Sequence, residues 1–231
     1  MNINEYAEQY KYKTELHTHT FPVSACADII AEDVVRIYAE AGADSLVITN
    51  HINGAMKSAD YYLSDYYKAA EAGVKYGVNV ILGVEICFVG SKNDYLVYGV
   101  EENEIEKMIK LVPKGIEEFY KEIKNERNVI IQAHPFRQGL TRAPLEVIDG
   151  IESFNLHPSH NGAVGVAAKY ARQNDLLVTC GTDFHHSGHH ALAFVRSKEK
   201  MRDSFDISSL IKSRDYLFDF SGSIMFPYLE R

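Results

Sequence analysis

Cysteine is scarce. Cys26, Cys87 and Cys180 stand far apart with no CxxC pair, which excludes a disulfide framework and a structural zinc knuckle. Cys87 and Cys180 read as buried thiols. Basic charge is short as well: 24 Lys and Arg against 32 Asp and Glu leave a formal charge of −8. With no basic stripe, a nucleic-acid backbone is not an expected partner. No apolar run approaches bilayer length, and the opening MNINEYAEQYKYK has acids and tyrosines where a signal peptide needs an apolar stretch. A cytoplasmic protein without a membrane partner is expected. Repeats, low-complexity tracts and Pro/Gly/Ser linkers are also lacking, so residues 1–231 are taken as one domain. An acidic chain can still handle a phosphate where bound cations reverse the local field.

Alternation is what the sequence does have. Apolar, β-rich runs of four to six residues recur at 12–16, 45–49, 78–82, 95–100, 129–133, 150–154 and 176–180. Helical patterns lie between most of them, at 31–43, 58–77, 102–111, 114–126 and 161–174. The first carries Val34, Val35, Tyr38 and Ala41 on one face and stops at Gly42; Ser58 is a plausible cap for the second. Strands alternating with helices imply parallel strands buried on both faces, which near this length close into a barrel. The expected fold is an α/β chain in a (β/α) barrel of seven strands, with an open doubly wound sheet as the lesser possibility. In both, ligands gather at the C-terminal ends of the strands.

The histidines fall on that rim. Residues 17 and 19 follow the first run, 51 the second, 134 the fifth, 157 and 160 the sixth, and 185, 186, 189 and 190 the last. None lies within an expected helix. His17 and His19, two apart at a strand end, point the same way and can grip one object. Glu85 follows VILGV, and Asp183 sits two before His185 in CGTDFH. Imidazoles and carboxylates converging from separate strands make a ligand set for first-row transition metals rather than for calcium.

At this point the chain resembles the PHP (polymerase and histidinol phosphatase) family of metal-dependent phosphoesterases. ELHTHT, VITNH, GVE, QAHPFR, IESFN and GTDFH occur in that family's order over residues 14–186. Singly these motifs are weak; six in order, each after an expected strand, are strong. The resemblance implies a distorted, TIM-like (β/α)7 barrel with two or three divalent ions (zinc, manganese or iron) in its C-terminal mouth. Carried over residue by residue, His17, His19, Glu85 and Asp183 would hold the first ion. Glu85 would bridge to a second that also takes His134, and His51 and His185 would hold a third. Glu101, or less well Asp94, would add a ligand to the second. The implied reaction is hydrolysis of a small phosphate ester, monoester rather than diester, by a hydroxide held between two metals. Arg137 would bind phosphate, and His157, or His185 where free of metal, would assist the leaving group.

Two departures from the family pattern stand out. Relatives often place a further third-metal ligand five or six residues beyond the HxH pair; here Ser24 and Ala25 occupy that stretch, with Cys26 or Asp28 as substitutes if the loop bends. Asn50 stands where many relatives have aspartate, and an amide can still orient a ligating imidazole. His160 reads equally as a surface-loop residue, His186, His189 and His190 as rim residues, and Arg142 as a solvated arginine. Tyr61, Tyr62, Tyr66 and Tyr67 read as packing or a subunit contact. The rival enzyme is a metal-dependent amidohydrolase, disfavoured because such barrels rely on a strand-end lysine that is lacking here. A catalytically silent PHP module that binds a ligand is the other alternative.

Overall fold

The computed structural model describes residues 3–189 and 192–228, so His190 lies outside the described residues. The chain runs α1 (Ile3–Gln9), β1 (Tyr12–Thr18), α2 (Ala31–Glu40), β2 (Ser45–Ile48), β3 (His51–Ile52), α3 (Ala59–Tyr76), β4 (Asn79–Leu82), β5 (Val84–Cys87) and β6 (Asp94–Tyr98). It continues α4 (Ile105–Leu111), α5 (Ile116–Ile123), β7 (Val129–Gln132), β8 (Gly150–Asn155), α6 (Val164–Gln173), β9 (Leu177–Gly181), β10 (Ala193–Ser197), α7 (Ser204–Ser213), β11 (Leu217–Phe220) and β12 (Ser223–Met225).

The seven apolar runs become one circuit: β1, β2 with β3, β4 with β5, then β6, β7, β8 and β9. Regular pairing divides this circuit into two six-stranded sheets, ordered β12–β11–β10–β1–β2–β4 and β3–β5–β6–β7–β8–β9. The sheets share two bent strands. Ile48 faces Leu82 in the first sheet, and His51 faces Glu85 in the same register in the second. The bend needs Gly83, where a Cβ would lie 2.7 Å from Val47 Cγ1 and 2.9 Å from Thr49 Cγ2. At the other seam the segment after β9 meets the end of β1 through two backbone hydrogen bonds. The His19 N–H donates to the Phe184 carbonyl (3.0 Å) and the Phe184 N–H to the His17 carbonyl (3.3 Å). The result is the distorted α/β barrel expected from the sequence.

Helices cover the outside. α2 buries Ala31, Val34, Val35 and Tyr38 against Leu46 and Ile48 of β2, each large apolar side chain contributing about 1.5–3 kcal/mol. α3 starts where Ser58 accepts the Tyr61 N–H and ends at Gly77 in the left-handed region. Two of its tyrosines serve packing: Tyr62 is buried with its hydroxyl on the Gly83 carbonyl, and Tyr61 donates to the Pro22 carbonyl, whereas Tyr67 is half exposed with its hydroxyl on Glu102. Cys180 is buried as expected, whereas Cys87 is half-buried and Cys26 exposed.

One strand breaks the expected parallel order. β6 runs antiparallel to both β5 and β7, because no helix separates it from β5 and the chain simply folds back over Val89–Gly90. Its first residue, not its last, therefore reaches the mouth. β10, β11 and β12 form a further antiparallel edge on the first sheet.

Candidate metal centre

His17 is buried near the end of β1, and His19 follows one residue beyond it; both are fully inaccessible. Strand alternation turns the two rings the same way, with centroids 5.0 Å apart. β3 delivers His51 beside Glu85 of β5, while His134 follows β7 and Asp183 and His185 follow β9. His134 (φ +32°) and Asp183 (φ +55°) both occupy the left-handed region, a conformation costly for non-glycine residues and common at functional sites.

Glu85 is the hub. Its Oε1 lies 3.3 Å from His17 Nε2 and 3.4 Å from His134 Nε2; its Oε2 lies 3.2 Å from His19 Nε2 and 3.1 Å from His51 Nδ1. Asp183 Oδ1 is 3.5 Å from His17 Nε2 and 3.4 Å from His19 Nε2. Close as they are, these atoms lack hydrogen-bond geometry. His17 Nε2, His19 Nε2 and both Glu85 oxygens are buried with no hydrogen-bond partner. Buried polar atoms normally have partners, and lone pairs converging on shared points instead suit cations. Three groups of donor atoms lie close enough for one ion each: His17, His19 and Glu85; His19, His51 and His185; and His51, Glu85 and Asp94.

The electrostatics follow from this crowding. Burial alone would lower His17, but the charges of Glu152, Glu85 and Asp183 outweigh it and hold the imidazole well above its ordinary pKa. His19 and His134 are raised in the same way, against burial, by Asp183 and Glu85. Glu85 and Asp183 are held well below the usual carboxylate range because neighbouring imidazoles overcome desolvation. Burial wins for His51, lowered to about 4, and for His185, lowered to about 3.

A buried polar layer, not singled out from the sequence, fixes these candidate ligands. Glu152 of β8 accepts from His17 Nδ1 at 2.8 Å, from the His134 N–H at 3.2 Å and from Asn155 Nδ2 at 2.9 Å. Glu15 accepts the backbone N–H groups of Leu16, His17 and Thr182, so it clamps β1 to the turn that carries Asp183. A charged residue inside an apolar strand, as in GIESFN, was the available signal for Glu152. Ser24 is not a ligand: its hydroxyl donates to Asn50, accepts the His51 N–H, and lies 3.3 Å from His19 Nδ1. Asn50 thus acts through Ser24 rather than directly on an imidazole.

The remaining expectations divide. Glu101 is on the far side of the fold, where it caps a short 3-10 turn and pairs with Arg127. The reversal of β6 places Asp94 at the mouth instead, 4.0 Å from His134 Nε2, and burial beside Glu85 lifts its carboxyl to about 6. The preference for Glu101 over Asp94 is therefore corrected. Asp28 pairs with His186 (3.0 Å). Arg137 grips Asp183 Oδ2 at 2.5 Å, while Arg142 lies over the Phe136 ring. His157 sits 5.5 Å from the His185 ring and 4.5 Å from that of His160, and burial lowers it to about 4.

Fold and site together define an α/β barrel with a multi-histidine, three-carboxylate cluster at one mouth, fitted to divalent cations. The chain belongs to the PHP family: the PHP domain model matches residues 15–221, a span that includes every residue of the cluster. No curated protein matches the sequence. Among solved structures, the chain is similar to a two-domain protein from Bacteroides vulgatus containing a predicted PHP-like metal-dependent phosphoesterase. Identity is 20% and the TM-score 0.64, over 90% of this chain and 64% of that one. The chain thus spans under two thirds of that relative. It is also similar to an amidohydrolase from Chromobacterium violaceum with bound sulfate, at 15% identity and TM-score 0.58, covering 93% of this chain and 98% of that one. At these identities the likeness concerns the fold. No helix among the described residues is long and apolar enough to cross a membrane.

Proposed function

We propose that this protein hydrolyses a small phosphate ester at two or three divalent transition-metal ions. The observation that carries the reading is the set of buried, partnerless nitrogens and oxygens on His17, His19 and Glu85. His17, His19, Glu85 and Asp183 would hold one ion, Glu85, His134 and Asp94 a second, and His51 and His185 a third. Zinc, manganese and iron all suit this donor set. When bound, such ions supply Lewis acidity and bring the acidity of water into the neutral range.

The chain's own groups do the rest. Glu152 holds the proton of His17 on Nδ1 and leaves Nε2 free to face the cluster. His185 donates its Nδ1–H to the Asp183 carbonyl (2.9 Å), which likewise frees Nε2. Arg137 keeps one arm on Asp183, and its buried Nε has no partner; that spare donor suits a phosphoryl oxygen. His157 offers a neutral N–H beside the centre. A monoester is favoured over a diester because its dianion gains more from divalent cations and a guanidinium.

A chromogenic aryl phosphate tests the reading. The metal-loaded protein is expected to turn it over, and Asp183→Asn to lose most of that activity; indifference to the substitution removes Asp183 from the site. The amidohydrolase name of the Chromobacterium violaceum neighbour favours a second reading, in which an amide is cleaved instead. None of the strands β1 to β9 ends in a lysine, which ranks it below. Turnover of amides but not of phosphate esters would reverse that order, and bound metal without any turnover would indicate a silent binding module.

A further inference from the structure

Beside the cluster, outside all three donor groups, stand two more imidazoles whose protons the backbone fixes. The Ser159 N–H donates to His157 Nδ1 at 3.2 Å, and the His185 N–H donates to His189 Nδ1 at 3.2 Å. A ring nitrogen that accepts a backbone N–H uses its lone pair to do so, and the proton of the neutral ring then sits on Nε2. Both rings are thereby single Nε2–H donors. In this tautomer an Nε2 turned toward a cation would present a hydrogen, so neither residue joins the ligand set by that atom. His157 makes no hydrogen bond through Nε2 among the described residues, and the His189 ring also reaches the Asp183 carbonyl.

The two donors are neighbours. Their ring centroids are 4.7 Å apart at 78° to one another, and His157 is 5.5 Å from His185. Asn155 fastens this pair to the centre: its Oδ1 accepts the His157 N–H (3.1 Å) while its Nδ2 donates to Asp183 Oδ2 (3.2 Å). That oxygen is the one gripped by Arg137. His189 is itself buried, and its own N–H is tied to the His186 carbonyl at 2.9 Å. Two neutral N–H donors beside the candidate ligand cluster, with the Arg137 guanidinium on the same Asp183 oxygen that Asn155 reaches, offer hydrogen bonds to an oxyanion and none to a cation.

We propose that His157 and His189 form an oxyanion-binding pair that takes the non-bridging oxygens of a phosphoryl group through their Nε2–H groups. The identity of that oxyanion rests on the phosphoesterase reading; the donor pair does not. Long-range 1H–15N correlation of the histidine rings at neutral pH is expected to show the Nε2–H form for both residues, and an Nδ1–H form for either overturns the pair. Inorganic phosphate titrated calorimetrically into the zinc-loaded protein gives the second readout. Asparagine mimics the Nδ1 side of histidine, whereas glutamine reaches the Nε2 position. His157→Asn and His189→Asn should each weaken phosphate binding about 10-fold, the weight of one hydrogen bond to a charged group. His157→Gln and His189→Gln should restore it to within about 3-fold, with zinc content unchanged throughout. Asparagine variants that bind phosphate as tightly as the parent, or that lose zinc together with phosphate, overturn the proposal. If the parent turns over no ester while phosphate affinity still falls in both asparagine variants, the phosphoesterase reading fails and the pair stands.

Discussion

Glu152 Oε1 lies 2.8 Å from His17 Nδ1 beneath the cluster, and neither side chain is exposed to solvent. Through its other oxygen the same carboxylate holds the His134 backbone and Asn155. One residue of β8 therefore orients candidate ligands that arrive from β1 and from the end of β7, and through Asn155 it reaches Asp183. A carboxylate behind a ligating histidine fixes the tautomer and makes the nitrogen facing the ion more basic.

Glu152→Gln keeps the size of the side chain but removes its charge. Zinc or manganese affinity, measured by competition with a chelating dye, is expected to fall by about 10–100-fold while the folded structure persists. Full affinity in this variant would remove Glu152 from the support of His17.

Metal binding should release protons. His17, His19 and His134 are raised in the metal-free protein, so ions must displace protons that the neighbouring carboxylates hold in place. His51 and His185, near 4 and 3, are already neutral at pH 7 and release none. Ligation requires the deprotonated imidazole, so affinity should fall as pH is lowered and rise as pH climbs through the raised pKa values. Calorimetry in buffers of different ionisation enthalpy counts the protons. A count of zero near pH 7 would contradict this electrostatic picture.

Asp94 and Glu101 separate two topologies. Asp94→Asn should lower the number of ions retained after dialysis, or the affinity of one of them, whereas Glu101→Gln should leave metal content unchanged. The opposite pattern would mean that β6 runs the other way.

Gly181 is expected to tolerate no side chain. A Cβ there would lie 2.5 Å from His17 Cβ and 2.6 Å from Glu152 Oε1; both groups are fixed. Gly181→Ala should destabilise the protein by about 1–3 kcal/mol, the usual range for overpacking, and should displace His17. Denaturant unfolding measures the first effect and metal affinity the second. An alanine variant as stable as the parent would show that β9 can move away from β1.

Much of this was legible in the chain, for identifiable reasons. The seven strands of the circuit announce themselves as short apolar runs, and His17, His51, Glu85, His134 and Asp183 all stand where such a run ends. The reversal of β6 was hidden because its run, 95–100, is as apolar as those of the parallel strands; only the short stretch between Cys87 and Asp94, with no helix in it, carried the information. That reversal is what moved the assignment from Glu101 to Asp94. Glu152 and Glu15 went unassigned because a buried acid inside a strand shows no partner in sequence; its partners, His17 and Thr182, come from 135 and 167 residues away. Ser24 stood in plain view as an absent ligand. Its role as acceptor of the His51 N–H and donor to Asn50 emerges only when the loop is folded.

The most direct test of the account is anomalous diffraction from crystals of the protein grown with zinc or manganese, recorded on both sides of the metal absorption edge. The account expects at least two anomalous peaks within bonding distance of Glu85, one of them shared with His17 and Asp183 and another with His134. Crystals that diffract well but show no anomalous peak among these four residues would contradict it.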